Sequence, residues 1–222
     1  MSSYKNNGTR FGWGPDVVAA NPEKLKLLNR FAQGSVIDLG CGSGIYSAHL
    51  QARGHAILGI DSEKSFIHHC RKSYPEIDFR QQNILRFKTK EKYDTALLFD
   101  ILEHLDDNQL LTKVKKYAHR LIISVPRTNQ EIMTKHALAH HHYLDRTHLR
   151  TYTPKSLRQL LIQHKLKIIF LEEVLPINLS HFTINHLSRG NPLINTTLKI
   201  LLKPFRPEPP LHSTIFAVAD RQ

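Results

Sequence analysis

Apolar residues along this chain alternate between short continuous runs and spaced stripes. Val36–Leu39, His55–Ile60, Ile77–Gln81, Tyr93–Phe99, Leu121–Val125, Lys167–Val174 and Ser213–Ala219 read as seven strands. Tyr93–Phe99 is nearly all apolar, as expected of a strand covered on both faces. The stripes between the runs have helical spacing. Asn21-Pro22 supplies an N-cap and a proline for the first helical position, Leu25, Leu28 and Ala32 follow, and Gly34 closes the helix. A second helix starts at Ile45 and runs to about Arg53, with Gly54 as its stop. Ser65–Ser73 is helical up to the break at Pro75. Asp106 and Asp107 cap a helix that places Leu110, Leu111, Val114 and Ala118 on one face. Thr153-Pro154 caps another, carrying Leu157, Leu160 and Leu161. Strands that alternate with helices predict an α/β fold built on a mostly parallel sheet.

The loop after the first strand is the most informative stretch. Asp38-Leu39-Gly40-Cys41-Gly42-Ser43-Gly44 joins a buried strand to a helix through three glycines, so the backbone can turn tightly and a ligand can lie against it. Counted from Gly40, the third glycine falls at Gly44 rather than at position 45, so the dinucleotide fingerprint Gly-x-Gly-x-x-Gly is not met, and the Gly-Lys-Ser/Thr of a P-loop is absent. Asp61 follows the second strand, 21 residues after Gly40, where an acid can hold both ribose hydroxyls. Asp-x-Gly-x-Gly-x-Gly followed by this acid resembles the class I S-adenosylmethionine-dependent methyltransferases. The resemblance covers about residues 30–174 and the last strand. It implies a Rossmann-like seven-stranded sheet, mostly parallel, with helices on both faces and the last strand inserted antiparallel beside the fifth. It implies S-adenosyl-L-methionine as cofactor, with Asp38, Gly40, Cys41, Gly42, Gly44, Asp61, Ser62, Asn83, Ile84 and Asp100 around it. Asn83 stands after the third strand, where the family often has an Asp or Asn that meets the adenine amino group.

The candidates for chemistry lie past the fourth strand. Asp100-Ile101-Leu102-Glu103-His104 leaves its carboxyl end, and the run Glu-His-Leu resembles the same region of ubiquinone-biosynthesis O-methyltransferases. An oxygen nucleophile needs a nearby base, and an imidazole suits that task near neutral pH. His104 is the candidate base, with Glu103 beside it; the alternative is that the pair only caps and orients the turn. His148 lies in Asp145-Arg146-Thr147-His148-Leu149-Arg150-Thr151-Tyr152-Thr153, similar to an Asp-x-x-His run before a Thr-Pro cap in these enzymes, and is expected to fold over the acceptor. His136, His140, His141 and His142 crowd the same stretch, where a polar loop is the plainer reading for the triplet. Asp100, Glu103, His104 and His148 together have the chemistry to hold Mg²⁺, Mn²⁺ or Fe²⁺. The small-RNA 2′-O-methyltransferases have a similar set, with Glu where Asp100 stands. A divalent metal is the less favoured reading.

Length and composition set the remaining bounds. With 222 residues, 41% of them hydrophobic, the chain can bury a full core and reads as one globular domain. Residues 1–33 form an N-terminal flap and helix, with Tyr4, Phe11 and Trp13 in the flap. Residues 34–174 form the cofactor-binding core, 175–212 an insertion and 213–222 the last strand. Within the insertion, Asn191-Pro192 caps a helix with Ile194, Leu198, Leu201, Leu202 and Phe205 on one face: a lid, a piece of core or a membrane-surface helix. Met1–Arg10 has no apolar run, no stretch is long enough to span a membrane, and two cysteines make no disulfide framework, so a cytoplasmic protein is expected. The net charge of +12 is uneven: residues 104–170 hold 12 Lys/Arg against 4 Asp/Glu. A solvated basic surface explains this more simply than a nucleic-acid face, because no dense basic block with interleaved aromatics occurs. The expected activity is methylation, at oxygen, of a small-molecule or lipid-like acceptor. A metal-assisted RNA methyltransferase and a cofactor-binding module without turnover are the alternatives.

Overall fold

The structure, a computed structural model, describes residues 20–128, 147–176 and 212–222, with Thr197 and Leu201 as two further helical positions. The N-terminal flap, His136 and the 140–142 triplet, and the rest of the 191–203 helix lie outside the described residues. Within them, α1 (Pro22–Phe31), β1 (Val36–Leu39), α2 (Ile45–Gln51), β2 (Ile57–Asp61), α3 (Lys64–Ser73) and β3 (Asp78–Gln81) come first. Then follow β4 (Tyr93–Phe99), a 3₁₀ turn (Leu102–His104), α4 (Asp107–Val114), β5 (Ala118–Pro126), α5 (Pro154–Gln163), β6 (Leu166–Pro176) and β7 (His212–Arg221).

The strands form one sheet in the order β3-β2-β1-β4-β5-β7-β6. β1 to β5 pair in parallel, and β7 runs antiparallel to both β5 and β6. The chain starts in the middle at β1, proceeds outward through β2 and β3, then returns to the other side of β1 with β4. The crevice where the order reverses, at the carboxyl ends of β1 and β4, is where open α/β sheets place their ligands.

Alternate strand residues feed two different cores, so both faces are covered. Ala96 and Leu98 of β4, Leu121, Ile123 and Val125 of β5, and Ile215, Ala217 and Ala219 of β7 pack with Leu110, Leu111 and Val114 of α4 and Leu157, Leu160 and Leu161 of α5. Leu97, Phe99, Ile122, Phe216 and Val218 point the other way, against Leu28 and Phe31 of α1 and Leu50 of α2. A third cluster joins Cys41, Ile67, Cys70, Ile77 and Phe79 beneath α3.

Local sequence chemistry sets the helix ends. The Asn21 side chain accepts from the Glu23 and Lys24 backbone N–H groups, and Thr153 forms a reciprocal capping box with Ser156. Four expectations shift. Ala118 does not extend α4; it opens β5 opposite Tyr93, because the helix stops at Val114 and a turn intervenes. β2 begins at Ile57 rather than His55, since the backbone carbonyl of Ala56 is the group that accepts from Val36 to start the pairing. β6 continues to Pro176 and β7 starts at His212, which narrows the connection to 177–211. In α1 the inward stripe is Lys24, Leu28 and Phe31, with Leu25 only half-buried.

Candidate active site

β1 ends at Leu39 and the chain turns through Gly40, Gly42 and Gly44, with φ of +80°, +52° and +74°. The Gly40 and Cys41 N–H groups both donate to the Ile60 carbonyl, at 2.8 and 3.0 Å, pinning the loop to the end of β2. Two of the glycines answer to different constraints. A Cβ on Gly44 would lie 2.9 Å from Cys70 Sγ and 3.0 Å from the Phe79 ring, so this glycine allows helix and sheet to approach. A Cβ on Gly42 would meet nothing within 4 Å. The loop therefore faces open space there, and the residues present leave room for a ligand against the backbone.

The strand-end acids flank this space. Asp61 accepts from Gly42 N–H with Oδ2 at 3.0 Å and from Glu63 N–H with Oδ1 at 2.8 Å. It thus braces the glycine loop, while burial pushes its carboxyl pKa up against the pull of those bonds. Asp38 is buried beneath the loop, accepts from Ser47 Oγ at 2.6 Å, and is pushed up to about 6 by burial. Cys41 belongs to the third core cluster; a hydrogen bond with the free Cys70 thiol, together with burial, raises its own thiol. Ser62 is exposed, and its carbonyl accepts from Gln81 Nε2. Asn83 is exposed just past the carboxyl end of β3, where its Oδ1 accepts from Arg86 N–H at 3.2 Å. Ile84 packs into the main core.

Beyond β4 the backbone is constrained. Asp100 sits at φ +52°, in the left-handed region that side-chain-bearing residues seldom occupy. It is held there from three directions. Its N–H donates to the Ser124 carbonyl at 2.8 Å, its Oδ1 accepts from Ser124 Oγ at 3.1 Å, and its Oδ2 is ion-paired with Lys24 Nζ at 2.6 Å. Lys24 is 6% exposed and lies 5.2 Å from the Phe99 ring centroid. Burial alone would lower its pKa, but the charges of Asp100, the Tyr46 hydroxyl and Glu103 outweigh that and raise it. Lys24 is not among the residues that the sequence motifs single out. Its signal was the i, i+4, i+7 spacing with Leu28 and Phe31, which puts an ammonium group on an apolar face.

The 3₁₀ turn carries Glu103, 2% exposed, and His104. The segment from Thr147 comes back over this turn. Thr147 Oγ1 lies 2.9 Å from His104 Nδ1, Leu149 N–H donates to the Glu103 carbonyl at 2.7 Å, and the His148 ring stands edge-on to that of His104 with centroids 4.6 Å apart. One ligand atom from each of Glu103, His104 and His148 falls within 4.8 Å of the other two. The four-residue set considered from sequence becomes three, because Lys24 and Ser124 engage Asp100 instead. Two imidazoles and a carboxylate can accept a proton, or can fit a divalent cation with coordination positions to spare. Asp107, expected as a helix cap, leaves that task to Asp106, whose Oδ1 accepts from Gln109 N–H.

Residues 16–169 match the family model described as a methyltransferase domain. The ubiquinone biosynthesis O-methyltransferase of Bradyrhizobium diazoefficiens is 28% identical over 109 residues, 47% of this chain and 43% of that protein. That of Rickettsia typhi is 27% identical over 118 residues, 49% of this chain and 48% of that protein. The chain thus spans about half the length of the curated relatives it matches. Among solved structures, a SAM-dependent methyltransferase from Archaeoglobus fulgidus superposes with a TM-score of 0.67 at 15% identity, covering 99% of this chain and 100% of that one. The magnesium protoporphyrin IX methyltransferase of Synechocystis, with bound SAH, gives 0.59 at 16% identity, covering 90% and 80%. At such identities the superpositions speak to the fold alone. The family match, however, runs through the glycine turn, the strand-end acids and the histidine pair alike: this chain belongs to the methyltransferase domain family, and its fold is that of the S-adenosylmethionine-dependent enzymes.

Proposed function

We propose that this chain transfers a methyl group from S-adenosylmethionine to an oxygen of a small-molecule or lipid-like acceptor. One observation carries the reading: the open glycine turn after β1 and the Glu103–His104–His148 cluster after β4 follow adjacent, hydrogen-bonded strands at the reversal of the sheet. The names of the ubiquinone-biosynthesis relatives support oxygen as the methylated atom.

The cofactor supplies a methyl on a sulfonium sulfur, already activated for in-line displacement. The chain's own residues have to bind, align and deprotonate. Asp61 keeps acceptor capacity for the ribose hydroxyls beyond its two backbone bonds. The Asn83 side chain, at the end of β3, suits the adenine amino group. Asp38 and Asp100 suit the ammonium of the amino-acid end, and Lys24, with donors left over from its pairing with Asp100, suits its carboxylate. Gly40, Cys41, Gly42 and Gly44, with Ser62 and Ile84, shape the walls. His104 takes the proton from the acceptor hydroxyl as the oxygen–carbon bond forms and the carbon–sulfur bond breaks. Glu103 and His148 hold the charge that develops on it.

A second reading rests on the grouping of those three side chains: they hold a divalent cation that lowers the pKa of the acceptor hydroxyl. The RNA alternative rests on the net charge of +12 and on this same metal-like set. Among the described residues no helix is long and apolar enough to cross a membrane, and both cysteines are free, which suits a reducing, cytoplasmic setting.

The test is transfer of labelled methyl from S-adenosylmethionine to cell extract fractionated into lipid, small-molecule and RNA pools, with calorimetric titration of the cofactor. Label in the small-molecule or lipid pool, lost in His104→Ala, is expected. Cofactor binding without transfer to any pool would leave only a binding module, and no cofactor binding would overturn the proposal. Activity that vanishes with chelator and returns with Mg²⁺ or Mn²⁺ would decide for the cation.

A further inference from the structure

His148 reaches His104 on a segment anchored two and four residues further on, at Arg150 and Tyr152. Arg150 Nη1 is ion-paired with Asp107 Oδ1 at 2.5 Å, and Tyr152 Oη donates to Asp107 Oδ2 at 2.8 Å. Asp107 is 7% exposed, its Oδ1 also accepts from Asn108 N–H at 2.8 Å, and the helix-capping role beside it is filled by Asp106. Both carboxylate oxygens are thus committed to groups that fix the returning segment or the first turn of α4. Tyr152 is buried too, and it is tied from the other side by backbone pairing with Arg127 and by the Thr128 N–H bond to its carbonyl at 2.8 Å.

We infer that Asp107 is a positioning residue: by holding Arg150 and Tyr152 it sets the length and path of the Thr147–Tyr152 segment and so places the His148 ring against His104. The geometry leaves little slack. Thr147 is bound to His104 itself and Leu149 to the Glu103 carbonyl, so His148 is strung between fixed points on either side. Asp107 follows His104 by three residues in the same stretch of chain, so one short segment carries both a member of the cluster and the clamp that brings in its partner. A charge is needed there because the half-buried guanidinium of Arg150 requires an anion that cannot drift away with solvent. The functional meaning rests on the proposal that the cluster serves the acceptor.

The test needs no acceptor. In protein labelled at histidine and saturated with S-adenosylhomocysteine, nuclear Overhauser effects between the ring protons of His104 and His148 report their contact directly. They are expected in the wild type, to fall several-fold or vanish in Asp107→Ala, and to survive in Asp106→Ala, which loses a helix cap but not the clamp. Arg150→Gln and Tyr152→Phe each remove one link from the far side and are expected to weaken the signal while affinity for S-adenosylhomocysteine stays as in the wild type. They keep the inference open to refutation if Asp107→Ala does not fold. Wild-type ring contacts in folded Asp107→Ala, or in both single-link variants, would overturn it. Methyl transfer that is indifferent to His104→Ala would instead overturn the function proposed for the cluster and leave the clamp standing.

Discussion

Single residues carry burdens here that their neighbours do not. Burial beneath the glycine loop disfavours ionisation of Asp38, so the folded state holds its proton more tightly than the unfolded chain does: about 6 against an ordinary 3.8. Stability from this group is therefore greatest at low pH and declines as pH rises from about 4 to about 6. The loss is about 2–3 kcal/mol, and the curve flattens above that window. Asp61 shifts in the same direction, so the informative quantity is a difference. Urea unfolding of Asp38→Asn across pH 4–7 is expected to show a shallower decline than the wild type; equal slopes would mean that Asp38 is hydrated. The glycines give a second contrast. Gly44→Ala forces a Cβ into Cys70 and Phe79 and is expected to lower stability by about 2–4 kcal/mol. Gly42→Ala has free space and pays only for its positive φ, about 1 kcal/mol. Its larger effect should be on cofactor affinity, measured by calorimetry, because the new methyl occupies the ligand's side of the loop. Asp61→Ala combines the two effects: it frees the Gly42 N–H and removes the carboxylate proposed for the ribose, so affinity for the cofactor should fall about tenfold or more.

Among the elements, α1 shows how a periodic stripe can hold a functional group. Leu28 and Phe31 bury against β4 and β7, and the same face delivers Lys24 to Asp100, 76 positions away. Lys24→Met retains the apolar stem, so the melting temperature should change little. Cofactor affinity should drop if the ammonium serves the carboxylate; unchanged affinity would confine Lys24 to holding Asp100 in its left-handed conformation. The α5 cap was plain in the residues Thr153-Pro154, and Thr153→Ala is expected to cost about 1 kcal/mol, measured by urea unfolding, with cofactor binding unaffected. The α4 start was less plain, since two adjacent aspartates can both cap on paper. In the fold only Asp106 takes the extended backbone of an N-cap, which frees Asp107 for Arg150 and Tyr152.

At the scale of the whole molecule, seven strands with helices between them implied a parallel sheet. The order β3-β2-β1-β4-β5-β7-β6 brings the candidate site residues to neighbouring strand ends. β1 and β4 pair side by side, so the glycine turn and the histidine cluster follow neighbouring strands, while β7 fills the gap between β5 and β6 in reverse. Leu201, placed on the apolar face of its helix by spacing, is 62% exposed.

What the sequence determined by itself is local. Run length marks strands, 3.6-residue spacing marks helices, Asn21, Thr153 and Asp106 cap because their side chains reach N–H groups two or three residues on, and alternating glycines permit positive φ at Gly40, Gly42 and Gly44. Each of these is decided by interactions within a few residues, and each is legible without the rest of the chain. The tertiary structure alone decided which distant segments meet. Lys24 with Asp100, Thr147 with His104 across 43 positions, and Tyr152 with Asp107 across 45 are contacts between elements, set by sheet order and by how each strand's end faces its neighbour. No periodicity in one segment encodes the position of another. An ion pair or a pair of imidazoles forms only where packing of the apolar faces has already fixed both backbones.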